Sequence, residues 1–148
     1  MIAARYEFAT PAYVESLALR QMVLRQPLGR SIWDDPLGEE WDQLHLGLFT
    51  AKGGALPLGS LAATASLVRS EKAYKMRQVA VHPVLAGQGL GRRLVRFTEQ
   101  LVGEDIELYC HAREVARAFY AACGWEAFGE PFTEVDIPHI RMRSTHSA

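Results

Sequence analysis

Residues 79–102, VAVHPVLAGQGLGRRLVRFTEQLV, read as a buried strand, a glycine-rich turn and an amphipathic helix in immediate succession. Gln78, Val79, Ala80 and Val81 end an extended apolar run. Pro83 stops that run, because its ring fixes φ and removes a ladder donor. Gly87, Gly89 and Gly91 follow at alternate positions, where the missing Cβ permits backbone angles and approaches that other residues refuse. Leu90, Leu94, Phe97 and Leu101 then recur at helical spacing, with Val95 and Val102 widening the stripe. A helix opening on glycines presents free N–H groups and the positive end of its dipole. Such an end suits a phosphate or pyrophosphate.

Upstream, residues 5–8 suit a short strand. Thr10 reads as an N-cap with Pro11 at the first helical position, and Val14, Leu17, Ala18 and Met22 form the expected apolar stripe. The helix should fade near Arg25, before Pro27 and Gly29. Residues 28–43 read as a loop or a loop with a short helix, and that length makes them a candidate substrate-side segment. Residues 44–50, 58–68 and 74–81 suit hairpin-linked strands, with Lys52, Gly53 and Gly54 at the first turn. Downstream, residues 106–110 suit a strand and 113–122 a helix with Val115, Phe119 and Ala122 on one face, stopped at Gly124. Residues 125–128 and 140–143 close the chain as strands around a loop holding Pro131 and Pro138. The order predicts a mixed α/β domain over residues 1–148, with a mostly antiparallel central sheet and flanking helices.

The bulk properties are those of an ordinary globular domain: 148 residues, 49% hydrophobic and 22% charged. A formal net charge of −1 gives no global attraction for nucleic acid or an anionic membrane. No apolar run approaches about 18 residues, so no membrane helix is expected. The N-terminus lacks an apolar signal core, which points to a cytoplasmic protein. Two cysteines, Cys110 and Cys123, make a disulfide framework improbable. Asp34 and Asp35 have no supporting ligand spacing, so no metal site is expected.

The string RQVAVHPVLAGQGLGRR over residues 77–93, followed by AFYAACGW at 118–125, resembles motifs A and B of the GNAT superfamily of acyl-CoA-dependent N-acyltransferases. The ending GEPFTEVDIPHIRM and the segment LRQMVLRQPLG are similar to a bacterial subgroup ending in I-P-H-x-x-M. One position departs from motif A: its leading Arg or Gln falls on Ala86. The phosphate cradle of that family is mostly backbone, so binding should survive the change.

The resemblance implies a sheet splayed at the cofactor site, with acetyl-CoA as cosubstrate. The pantetheine arm would pair with Val79, Ala80 and Val81 like an added strand. The pyrophosphate would rest on the turn of Gly87, Gln88, Gly89, Leu90, Gly91 and Arg92, with Arg92 and Arg93 adding attraction. The reaction it implies is direct attack of an amine on the thioester, with Tyr120 as general acid for the departing thiolate. The base varies in this superfamily: His139 is preferred over His45, with Glu114 and Glu107 as further options. His111 stands, like Val115, where related sequences often carry Asn, and His82 reads as a turn residue. Asp34, Asp35, Glu39, Glu40 and Asp42 would draw a cationic amine unless they form only a solvated loop. The acceptor would be a small-molecule or peptide amine, and the fold also allows a homodimer.

Two other readings compete. A dinucleotide-binding oxidoreductase would need a glycine where Arg92 stands, and the hairpins before the turn do not suit it. A P-loop is excluded because no Gly-Lys-Ser/Thr follows. A non-catalytic acyl-CoA-binding or sensor domain on the same fold stays open.

Overall fold

The computed structural model describes residues 1–145. Seven strands form one sheet in the order β1-β2-β3-β4-β5-β7-β6. They are β1 (Ile2–Tyr6), β2 (Leu44–Phe49), β3 (Leu61–Arg69), β4 (Ala73–Val81), β5 (Glu107–Arg113), β6 (Trp125–Glu134) and β7 (Ile137–Ser144). The helices are α1 (Pro11–Arg20), α2 (Leu90–Val102) and α3 (Arg117–Ala122). Every neighbouring pair is antiparallel except β4 with β5. The expected fold class is therefore the observed one, a mixed and mostly antiparallel α/β sheet with flanking helices.

Helix α2 begins at the glycine turn and lies on one face of the sheet. Its Leu90, Leu94 and Val95 meet Leu46, Leu48, Ala63, Ala65, Leu67 and Met76 in the main core. Full burial of each such aliphatic side chain contributes about 1.5–3 kcal/mol. The expected stripe is right except at its end, where Leu101 is exposed and Thr98 is buried instead. Thr98 satisfies its hydroxyl by donating to the Leu94 carbonyl at 2.8 Å.

Helix α1 takes the opposite face, over β3 and β4. Thr10 caps it as expected, and Pro11 opens it. The inward face differs from the expected one: Val14 is 59% exposed and Met22 40%, while Tyr13, Ser16, Leu17, Leu19 and Arg20 are buried. The cause is a buried polar network that an apolar count does not register. Arg20 clamps Glu40 with two bonds of 2.9 and 2.7 Å, and Tyr13 donates to the same carboxylate at 2.7 Å. The helix continues through one π-turn (Gln21–Arg25) and a 3-10 turn before Gly29 ends it at φ 66°.

In the last helix, residues 114–116 form a 3-10 turn and α3 proper starts at Arg117. Its buried residue is Tyr120; Val115 is 90% exposed, so the expected stripe is again off the packed face. Residues 129–139 also differ from the expected loop, since β6 and β7 run on as a long hairpin to Val135 and Asp136. Prolines did not prevent this. Pro131 sits in the bulge between Phe128 and Phe132, opened by Gly129 at φ 72° on the edge strand. Pro138 lies one residue beyond the last β5–β7 pair, Arg113 with His139, where β5 asks for no donor.

Candidate active site

The β4–β5 ladder pairs only Ala73 through Met76 with Glu107 through Cys110. Both strands continue past that point, β4 to Val81 and β5 to Arg113, without pairing to each other. This is the split. Beside it β4 is bulged: Thr64 pairs with Ala80, but Ser66 pairs with Arg77, so Gln78 and Val79 stand opposite one residue. Gln78 takes φ 57° there, an uncommon angle for a residue with a Cβ. The bulge reverses the alternation of β4. Met76 faces the main core below α2, whereas Ala80, four residues on, packs with Leu19 under α1. The backbone of Val79, Ala80 and Val81 thus borders the split, with Val79 and Val81 against the main core.

Beyond Val81, Pro83–Leu85 forms a 3-10 turn, and Ala86 occupies the position of the missing motif side chain. Gly87 and Gly89 stand at φ 79° and 77°. Gly89 is the N-cap of α2, and no side chain caps the exposed amides of that first turn. Gly91 is held by space: a Cβ there would lie 3.1 Å from the Phe119 ring and 3.8 Å from Val81. Arg92 and Arg93 are exposed and line, with Gly89 and Arg96, a cavity of about 350 Å³. The residues therefore fit the phosphates of a nucleotide-like cosubstrate: bare amides, an open helix end and flexible cations.

Tyr120 lies on the α2 side of the sheet, 6% exposed, between Phe119 and Trp125 at ring distances of 5.0 and 5.3 Å. Its hydroxyl lies close enough to the sulfur of Cys110, the last β5 residue in the β4 ladder, to interact with it. Burial, followed by the Cys110 sulfur, raises the Tyr120 pKa well above its ordinary value. The phenol is thus a neutral O–H at the end of the split. Burial pushes the Cys110 thiol up to about 12, so it is no thiolate nucleophile.

On the other face, a cavity of about 580 Å³ opens at the mouth of the split. Lys75 to Gln78 of β4 and His111 and Arg113 of β5 border it, roofed by Arg25 to Pro36 of the long loop and by the β6–β7 hairpin. His139 is here, 5% exposed; its Nδ1 donates to the Ile137 carbonyl at 2.7 Å, which leaves Nε2 for Glu134, 3.7 Å away. His111 contacts the other Glu134 oxygen at 3.2 Å. Burial lowers the His111 pKa, as do Lys75 and Arg141, with Glu134 opposing. Burial raises the Glu134 carboxyl, but the bond to His111 and the charges of Lys75 and His139 outweigh it, and the net shift is downward.

His45 is placed elsewhere. It is buried between Tyr6 and Tyr13, at 5.6 and 5.2 Å, and its Nε2 donates to the Glu40 carbonyl at 2.9 Å. Burial lowers its pKa, partly offset by that carbonyl and by the Glu40 charge. His139 and His45 are thus not brought together. Glu107 and Glu114 also lie outside this cavity, and Glu114 pairs with Arg117 at 3.1 Å. The sequence reading missed Glu134, Lys75, Arg77 and Arg113. Glu134 was hidden by the loop expected around Pro131 and Pro138. The alternation of Lys75 and Arg77, and of His111 and Arg113, was the signal that could have found the others. Among the described residues, no group of histidine, cysteine and carboxylate side chains could hold a metal, and no helix is long and apolar enough to cross a membrane.

A mixed sheet split at a parallel strand pair, with a glycine-opened helix behind it, defines an acyl-CoA N-acyltransferase fold. The acetyltransferase (GNAT) domain family matches residues 55–146, and the chain belongs to that family. It is 32% identical over 108 residues to the uncharacterized N-acetyltransferase YitI of Bacillus subtilis (strain 168), covering 68% of this chain and 70% of that one. An acyl-CoA N-acyltransferase from Pseudomonas aeruginosa has the same fold, with TM-score 0.76, 24% identity, and 97% and 99% of the two chains covered. So has an aminoglycoside 6'-N-acetyltransferase complexed with coenzyme A, with TM-score 0.76, 15% identity, and 99% and 97% covered.

Proposed function

We propose that this protein is an acetyl-CoA-dependent N-acetyltransferase that acylates an amine held in the 580 Å³ cavity. One observation carries the reading: the unpaired edge of β4 at Val79, Ala80 and Val81 runs directly into the uncapped start of α2. An extended pantetheine arm suits that edge as an added strand. The phosphates suit the amides from Gly87 to Arg92, with Arg92 and Arg93 as nearby cations. Because the cradle is backbone, Ala86 removes a side-chain contact without removing the site. The structural relative solved with coenzyme A shares this fold, which supports the choice of cosubstrate.

In this reading the amine nitrogen attacks the thioester carbonyl carbon; a C–N bond forms and the C–S bond breaks. The ammonium proton leaves through the cavity. His139 is suited to take it, because its Nδ1–H is tied to Ile137 and Nε2 is the open nitrogen. Glu134 stabilises the resulting imidazolium from 3.7 Å. The departing thiolate takes the Tyr120 proton, which solvent later restores. A thiol pKa near 8.5 makes that thiolate a fair leaving group, so one well-placed O–H suffices. His45 serves instead to hold Glu40, and through it Arg20 and the long loop. Two unpaired cysteines suit a reducing compartment such as the cytoplasm.

The experiment is release of free CoA thiol from acetyl-CoA across a panel of amines. Amine-dependent release supports the reading. Binding of acetyl-CoA without release by any amine would instead favour an acyl-CoA-binding or sensor domain.

A further inference from the structure

We propose that the acceptor is an amine that also carries a carboxylate, and that Arg77 and Arg113 bind that carboxylate across the mouth of the split. This rests on the acyltransferase reading above and names its substrate class. The cavity is lined by five cationic side chains and three carboxylates. Two of the three carboxylates are already engaged. Asp35 is held by Arg25 through bonds of 3.0 and 2.6 Å, with Arg20 3.9 Å away. Glu134 is shared between His111 and His139. Asp34 is exposed and, among the described residues, makes no ion pair.

Of the cations, Arg25 is spent on Asp35. Among the described residues, the side chains of Lys75, Arg77 and Arg113 make no ion pair and no hydrogen bond. The register explains why they converge. Lys75 pairs with Tyr109 in the parallel ladder, so Lys75 and Arg77 share a face with Tyr109, His111 and Arg113. The two strands diverge just there, which leaves Arg77 on one lip of the split and Arg113 on the other. Guanidinium groups so placed are built to receive a planar anion. The surroundings also disfavour the charged form of Lys75: burial lowers its pKa and Arg77 and Arg141 lower it further, against the opposing Glu134 and Cys110.

An acidic loop drawing a cationic amine was the alternative expectation. Of its five carboxylates, Asp35 and Glu40 are ion-paired, and Glu39 and Asp42 are not among the residues that line the cavity. A polycationic acceptor such as an aminoglycoside would instead meet Lys75, Arg77 and Arg113 unscreened.

The test uses matched acceptors, amino acids and their carboxamides, in the CoA-release assay at low and high salt. The expected result is a kcat/KM about 10–100-fold higher for the free carboxylates, the size of one charge-assisted bond pair. Added salt should shrink that ratio. Arg77→Gln or Arg113→Gln should raise KM for the carboxylates about tenfold, leave the carboxamides unaffected, and leave acetyl-CoA binding intact. Equal or better turnover of carboxamides or polyamines would overturn the proposal. If no amine is turned over, the catalytic reading fails separately. Calorimetric titration of the same pairs into CoA-loaded protein then decides this one: tighter carboxylate binding upholds it, and equal or absent binding overturns it.

Discussion

Arg20 Nε donates to Gln78 Oε1 at 3.3 Å, so the last residue of α1 holds the strained bulge residue of β4 at the mouth of the split. Arg25 donates to the same oxygen at 3.2 Å. The helix face, the bulge and the cavity lined by Arg25 and Gln78 are therefore one mechanical unit. Gln78→Asn tests this, since Asn tolerates positive φ but is one methylene too short to reach both arginines. It should cost about 1–3 kcal/mol in stability, the range for hydrogen bonds to charged groups. Denaturant titration reads that loss, and KM for the acceptor should rise more than KM for acetyl-CoA.

The same interior predicts a pH dependence. His45 has a lowered folded pKa, so its unfolded form binds a proton first as pH falls below the ordinary value of 6.5. Stability should therefore drop with falling pH from about that point. His111, lowered for similar reasons, adds in the same direction. Glu40 is raised by burial but lowered more by Arg20 and Tyr13, with a net downward shift. Its contribution is present above the ordinary carboxylate value of 4.5 and is lost as pH falls through the lower folded value. Thermal melts from pH 7 to pH 4 should show the decline beginning in the histidine range. His45→Gln keeps a donor for the Glu40 carbonyl and should flatten that first part.

Two glycines of the turn are needed for different reasons, and substitution separates them. Gly89→Ala meets nothing within 4 Å but must hold φ 77°. It should cost about 1 kcal/mol through backbone strain alone. Gly91→Ala brings a Cβ to 3.1 Å from the Phe119 ring, and a similar loss should follow from overpacking. Phe119→Leu should rescue the second variant and not the first, as read by chemical denaturation.

The hairpin tip beside Glu134 is strained, with Val135 at φ 48° and Asp136 at φ 62°. Both angles belong to a two-residue turn that favours Asn-Gly, and a β-branched residue there is an outlier. Val135→Asn with Asp136→Gly should stabilise the protein by about 1–3 kcal/mol. A melting temperature that does not rise would contradict the turn assignment.

Tyr120→Phe removes the phenolic O–H at the end of the split and leaves the ring packing intact. It should lower kcat by about 10²–10⁴, the usual worth of a positioned acid, with little change in acetyl-CoA affinity. An unchanged kcat would remove Tyr120 from the chemistry.

The architecture was legible where pattern and packing agree. Residues 79–102 announced strand, turn and helix because the glycines, Leu90, Leu94 and Val95 all point to one arrangement. The inner face of α1 was not legible, because Arg20 is buried through a carboxylate twenty residues away that only the fold brings near. The long β6–β7 hairpin was hidden by prolines that happen to sit at a bulge and beyond a ladder. With it went Glu134, and so the partner that distinguishes His139 from His45. Relations across strands, such as Lys75 and Arg77 sharing a sheet face with His111 and Arg113, follow from register, and register is not written in any single segment.

Hydrogen–deuterium exchange with and without acetyl-CoA tests the central claim most directly. The account predicts new protection in residues 77–81 and 87–92, with β2 and β3 unchanged, because the cosubstrate pairs with the bare edge of β4 and the amides of the turn. At saturating acetyl-CoA, protection elsewhere with none on those two segments would contradict it.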